Sequence, residues 1–149
     1  MERHKILVVD DEPDLQMLIL QRFRKQIRND EYEFFFAENG EEALTVLGES
    51  QNISLVLSDI NMPKMTGVEF ARAIRDKGYE DIPIIMVTAE KSMGKVDKTL
   101  NEGGADEYIT KPFTADKMQK TISKFFDERG ELITQQEEEK KSFFSSILK

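Results

Sequence analysis

The stretch Leu55-Val56-Leu57-Ser58-Asp59-Ile60-Asn61-Met62-Pro63-Lys64-Met65-Thr66-Gly67 restricts the fold of this chain more than any other. An apolar run ends in a carboxylate, passes through a proline-containing loop and meets a Thr-Gly pair able to open a helix. Unbroken apolar runs suit strands buried on both faces, as in a parallel sheet. Open α/β sheets place ligands beyond the carboxyl ends of their strands. Asp59 therefore stands at the mouth of a candidate site, and the other motifs can be sorted by whether they reach it. Aspartate is also common in plain strand-ending turns, so this stretch alone does not decide.

The rest of the chain supplies four more such strands. Residues 5–9 form a short apolar, β-branched run followed by Asp10, Asp11 and Glu12. Pro13 suits the first position of a helix, and Leu15, Leu18, Ile19, Phe23 and Ile27 keep the helical interval. Residues 32–37 read as a second strand, whose Phe34-Phe35-Phe36 run is core and helix-facing surface rather than a binding platform. Asn39 with Glu42 resembles a capping pair for a helix through Leu47. The strand 53–58 leads to Asp59, and Thr66 with Glu69 forms a capping box for a helix carrying Val68, Phe70, Ala71 and Ile74. Gly78 ends that helix.

Residues 82–87 make a fourth strand with Pro83 in its first turn, closed by Thr88-Ala89-Glu90. Residues 91–102 form a weak helix: Met93, Val96 and Leu100 give a thin stripe, and Gly94 lowers propensity. Gly103-Gly104 stops it. A short strand, 107–109, reaches Thr110-Lys111-Pro112 a little beyond its end. Thr114 caps the last regular helix, with Met118, Ile122, Phe125 and Phe126 on its buried face. Five strands alternating with five helices predict an α/β fold, a five-stranded parallel sheet covered on both faces. Asp10, Asp11, Asp59, Thr88 and Lys111 then emerge on one edge of that sheet.

A length of 149 residues allows one domain with a real core. Its net charge of −8 disfavours nonspecific binding to nucleic acid or to an anionic membrane. The absence of cysteine excludes disulfides and thiolate chemistry, as suits a cytoplasmic setting. The apolar run at residues 6–9 is too short for a signal peptide or a membrane span.

Three carboxylates at one mouth repel one another unless something neutralises them. A hard divalent cation fits, and retained waters with oxygen ligands suit Mg²⁺, with Mn²⁺ as a substitute. Acids also favour helix N-termini, but a single acid suffices there and Asp10-Asp11 offers two. With a metal in place, Asp59 is either a third ligand or a nucleophile that takes a phosphoryl group. Lys111 offers a point charge and Thr88 a hydroxyl to phosphoryl oxygens.

Together Asp10-Asp11, Ser-Asp-Ile-Asn-Met-Pro around Asp59, Thr88-Ala89, Tyr108 and Lys111-Pro112-Phe113 strongly resemble the receiver domain of two-component response regulators. The resemblance spans roughly residues 5–129. It implies a flavodoxin-like (βα)5 fold with strand order 2-1-3-4-5. It further implies that Asp59 accepts a phosphoryl group from the phosphohistidine of a sensor histidine kinase or a histidine phosphotransfer protein. Asp11 then ligates Mg²⁺ directly, Asp10 through water, and Asn61 through its backbone carbonyl. Lys111 pairs with the phosphoryl group across a Lys-Pro bond that is often cis in such domains. Thr88 moves toward the phosphate, and Tyr108 turns inward behind it. Such a chain is a switch that promotes its own phosphorylation and dephosphorylation rather than an enzyme acting on an external substrate. Asn61 and Glu90, each two residues past a site residue, border the path of the attacking water and tune the phosphoryl lifetime. His4 precedes the first strand at the edge away from the acids and is expected to be solvated.

Two other readings compete. An aspartyl-nucleophile phosphatase of the haloacid dehalogenase type places nucleophile and acid two residues apart on the first strand, whereas here the nucleophile candidate lies on the third. A receiver-like scaffold that works without phosphorylation is weakened because every acid, Thr and Lys of the site is present. The chain divides into a receiver, 1–129, and a helical extension or truncated linker, 130–149. Phe143, Phe144, Ile147 and Leu148 recur there at helical interval. They predict a homodimer, through this extension or through the 4-5 face at residues 91–129.

Overall fold

The computed structural model describes residues 3–49, 52–62, 64–89, 104–111 and 114–126. Among them the elements are β1 (His4–Val9), α1 (Pro13–Arg22), α2 (Arg24–Arg28), β2 (Tyr32–Ala37), α3 (Gly40–Glu49), β3 (Ile53–Asp59), α4 (Gly67–Asp76), β4 (Ile84–Ala89), β5 (Glu107–Lys111) and α5 (Ala115–Ser123). The strands form one sheet in the order β2-β1-β3-β4-β5. All four pairings are parallel. The chain adds β2 on one side of β1 and then β3 on the other. That reversal opens a crevice beyond the ends of β1 and β3, where such sheets bind ligands.

Strand alternation divides the apolar side chains between two cores. Ile6, Val8, Leu55, Leu57, Ile85, Val87 and Ile109 face Leu15, Ile19 and Phe23, with Met118 and Ile122 of α5. Leu7, Val9, Val56, Ile84 and Met86 face Ala43 and Leu47 of α3 with Phe70, Ala71 and Ile74 of α4. The central strands are buried on both sides, which is why their sequences are continuously apolar. No helix among the described residues is long and apolar enough to cross a membrane.

Helix starts follow the capping chemistry read from the sequence. Asn39 Oδ1 accepts from Glu42 N at 2.9 Å. Thr66 and Glu69 complete a reciprocal capping box, and Thr114 Oγ1 accepts from Lys117 N. Gly78 follows the C-cap Lys77 with φ +94°, a conformation open to a residue without Cβ.

Several boundaries differ from those read in the sequence. The helix expected to run past Phe23 breaks there, at φ −101° and ψ 19°. Phe23 is fully buried, 5.7 Å from the Tyr32 ring and 5.3 Å from Phe34, and Ile27 N still donates to Phe23 O. β4 starts at Ile84, after Pro83, whose carbonyl nevertheless accepts from Val56 N. β5 extends through Lys111, so the lysine ends the strand instead of lying beyond it. α5 stops at Ser123, yet Phe126 beyond it remains buried.

His4 is also not simply solvated. It opens β1 and stacks on Phe126 with centroids 4.2 Å apart, beside Tyr32. The Phe34–Phe36 run is half-buried, shared between the two cores as expected of a strand. The helix expected at 91–102, Glu90, Pro63, Pro112-Phe113 and the extension 130–149 lie outside the described residues.

Candidate functional site

β3 ends on Asp59, which is 7% exposed, in a sheet interior that rarely accepts a carboxylate without partners. Its Oδ1 accepts from Asn61 N at 3.0 Å, and its Oδ2 lies 3.5 Å from Lys111 Nζ. The turn that follows closes against α4. Gly67 N donates to Ile60 O at 2.8 Å, and a Cβ on Gly67 would fall 2.7 Å from Asp59 O. Only glycine allows α4 to begin so close to the strand end. Lys64, exposed in the same loop, has φ +68°.

β1 delivers the second carboxylate. The Asp10 side chain is 3% exposed, its Oδ1 accepts from Glu12 N at 2.7 Å, and its Oδ2 lies 3.7 Å from Lys111 Nζ. That buried Oδ2 has no hydrogen-bond partner. Burial pushes the Asp10 carboxyl above the ordinary 3.8. The Glu12 amide and the Lys111 charge oppose that shift, while the Asp59 and Glu12 charges add to it. Asp11 and Glu12 are exposed, and carboxylate oxygens of Asp10, Asp11 and Glu12 lie within 4.8 Å of one another.

Lys111, carried in by the last residue of β5, stands among these acids. Its ammonium is 3.5 Å from Asp59, 3.7 Å from Asp10 and 4.0 Å from Glu12. Burial pulls its pKa down, but the combined attraction of Asp59, Asp10 and Glu12 outweighs that and holds it above 10.5. The acid cluster is thus partly neutralised from within the protein, a pairing that strand positions alone do not reveal.

Thr88 is fully buried near the end of β4, one residue past Val87, the ladder partner of Asp59. Tyr108 on β5 is half-buried and packs against the core beneath α3 and α4. Asn61 is exposed at the rim. Glu12 is the member of the mouth to which the sequence reading gave no role. Its signal was legible as the third acid of Asp10-Asp11-Glu12.

Beside the acids, on the β1–β2 side, lies a cavity of about 180 Å³ lined in part by Asp10, Asp11, Glu12, Gln16, Glu38 and Glu42. The donor set fits a hard divalent cation: every group is an oxygen, and the orphaned Asp10 Oδ2 lacks the partner that a buried carboxylate oxygen requires.

Sequence comparison agrees with this geometry. A family model described as the response regulator receiver domain matches residues 6–123. A chemotaxis protein CheY homolog from Campylobacter jejuni is 39% identical over 111 residues, covering 74% of this chain and 82% of that protein. The chemotaxis protein CheY of Pseudomonas aeruginosa is 35% identical over 124 residues, covering 83% and 96%. The solved structure of Vibrio cholerae chemotaxis protein CheY4 superposes with a TM-score of 0.71 at 32% identity, covering 82% of this chain and 98% of that one. A parallel sheet of this order, an acid mouth at its switch point, and relatives matched over most of their length carry one conclusion: the chain belongs to the response regulator receiver domain family of two-component signalling.

Proposed function

We propose that Asp59 accepts a phosphoryl group from the phosphohistidine of a partner kinase or phosphotransfer protein, in a Mg²⁺-dependent reaction. The observation that supports this most directly is the shared counterion: one ammonium, Lys111, within 3.7 Å of both Asp59 and the otherwise unpartnered Asp10 Oδ2. A carboxylate oxygen of Asp59 forms the new P–O bond. The P–N bond of the donor breaks, and its electron pair returns to the donor imidazole. Lys111 leaves carboxylate partners to pair with phosphoryl oxygens, and Thr88 donates its hydroxyl to them. Asp10, Asp11 and the Asn61 carbonyl would hold Mg²⁺, with Asp59 contributing; the bound ion supplies positive charge against these carboxylates and the incoming phosphoryl group.

Charge moved at the mouth shifts Thr88, and Tyr108 turns inward to follow, which changes the surface around β5. Asn61 and Glu90 set how readily water attacks the phosphorylated residue. The reading places the receiver at 1–129, with 130–149 as an extension, and the protein in the cytoplasm, where kinase phosphohistidines are formed.

Incubation with a small phosphodonor and Mg²⁺ should add one phosphate to the intact mass. Asp59→Asn and removal of the metal should each abolish the adduct. Followed over time, Asn61→Met should lengthen its life. An adduct that persists in Asp59→Asn, or that forms equally without metal, refutes the assignment.

A further inference from the structure

Ser58 places a hydroxyl in an apolar wall. It is fully buried in β3, and its ladder neighbours are Val9 and Met86, both members of the core beneath α3 and α4. By strand alternation it shares the face of Val56 and lies opposite the face of Asp59. A buried hydroxyl is costly unless it is hydrogen-bonded, and hydrocarbon would fill this position without that demand. The hydroxyl sits inside the turn that carries the acceptor. Its Oγ donates to Asp59 O at 3.0 Å and lies 3.9 Å from Met62 Sδ, a weak acceptor.

We propose that Ser58 is a positioning residue that holds the Asp59–Met62 turn in place through the phosphorylation cycle. This inference rests on the reading of Asp59 as phosphoacceptor. The turn is braced from two sides. On the mouth side, Asn61 N donates to Asp59 Oδ1 at 3.0 Å. That brace uses the carboxylate that reacts, so it weakens once the carboxylate charge is lost. On the core side, the Ser58 bond goes to the Asp59 backbone carbonyl and is indifferent to the state of the side chain.

Gly67 meets the turn from the remaining direction. Gly67 N donates to Ile60 O at 2.8 Å, and the start of α4 approaches so closely that a Cβ on Gly67 would lie 2.6 Å from Ile60 Cα and 2.7 Å from Asp59 O. Held between Gly67 and the Ser58 hydroxyl, the 59–60 peptide fixes where Asn61 presents its carbonyl and where Asp59 presents its carboxylate. Groups that orient metal ligands from behind commonly change metal affinity by about tenfold or more when removed.

The test compares wild type, Ser58→Ala and Ser58→Cys, together with the isosteric pair Ser58→Thr and Ser58→Val, which differ in the hydroxyl alone. Three quantities are measured: Mg²⁺ affinity of the unphosphorylated protein, the rate of phosphorylation by a small phosphodonor, and the denaturation midpoint in metal-free buffer. We expect Ser58→Ala to weaken Mg²⁺ binding on the order of tenfold and to slow phosphorylation. Ser58→Cys should recover part of both, and Ser58→Thr should exceed Ser58→Val. A Ser58→Ala protein with wild-type Mg²⁺ affinity and rate, whatever its midpoint, overturns this proposal alone. Wild-type protein that takes no phosphoryl group overturns the acceptor reading and this proposal with it.

Discussion

At the scale of the residue, Asp59 and Lys111 are opposite weights on one charge balance. Among the described residues the mouth gathers Asp10, Asp11, Glu12 and Asp59 around one ammonium, Lys111, so negative charge is in excess. Removing Asp59's charge as Asn leaves Lys111 paired with Asp10 and Glu12 and relieves repulsion. Asp59→Asn should therefore raise stability in metal-free buffer by about 1 kcal/mol and shrink the stabilisation conferred by Mg²⁺. Lys111→Met should do the reverse, lowering metal-free stability by about 1–2 kcal/mol, with added Mg²⁺ narrowing the gap. Urea denaturation with and without chelator measures both; shifts of the same sign in the two variants would refute the balance. A different residue sets an alkaline limit. Burial, then the Glu31 charge, push the Tyr32 hydroxyl above the ordinary 10.0. The folded state thus holds this proton more tightly than the unfolded chain. Its contribution is complete below pH 10.0 and is lost as pH rises through the folded value. Tyr32→Phe should flatten the alkaline fall in midpoint, and an equal slope in the two proteins would count against the assignment. Asp59 was legible in the sequence because it follows an apolar run, and Lys111 because it follows a short strand and precedes Pro112. Lys111's hold on Asp10 was not, because it depends on how far β5 extends beside β4.

At the scale of the element, the capped helix starts were legible, whereas the ends of the first and last helices were not. Asn39, Thr66 and Thr114 satisfy amides a fixed three residues ahead, so their role is written in local spacing. Arg75 works through backbone carbonyls, which leave no mark in sequence. From α4 its Nη1 donates to Tyr79 O at 2.7 Å and Ile82 O at 2.8 Å, while Nε and Nη2 donate to Gly104 O. Asp106 completes the clasp, 3.2 Å from Arg75 Nη2 and accepting from Ile84 N at 2.8 Å. One guanidinium thus joins the end of α4, the entry to β4 and the approach to β5. Arg75→Met leaves several carbonyls without donors and should cost about 2–4 kcal/mol. Gly104→Ala meets both the left-handed backbone, φ +79°, and an Arg75 Nε 2.7 Å from the new Cβ. It should cost about 1–3 kcal/mol. Denaturation midpoints check both, and a neutral Arg75→Met would show that the clasp contributes nothing net. The break at Phe23 was likewise hidden, since helical spacing continues through it. What bends the chain is a ring seated against Tyr32 and Phe34, partners distant in sequence until β2 pairs with β1.

At the scale of the whole molecule, sheet order followed from the family resemblance, while parallel pairing and coverage on both faces followed from alternation of elements. The apolar residues Phe143, Phe144, Ile147 and Leu148 predict that the full chain self-associates and that a version ending at Arg129 does not. Light scattering on both, with and without phosphodonor, should show a dimer for the full chain and a change in its strength on phosphorylation. Monomer masses in all four samples would remove the extension from any role in assembly. Among the described residues the sheet separates two bodies of hydrocarbon with no side chain in common. Along β5, Tyr108 belongs to the layer beneath α3 and α4, whereas its neighbour Ile109 belongs to the layer beneath α1 and α5. On the proposed switch, a rotation of Tyr108 repacks one layer and leaves the other as a fixed bed. Such a switch would load the sheet like a plate from one side, with β5 at its edge. On that reading, signalling is a local rearrangement of one layer rather than a partial unfolding of both.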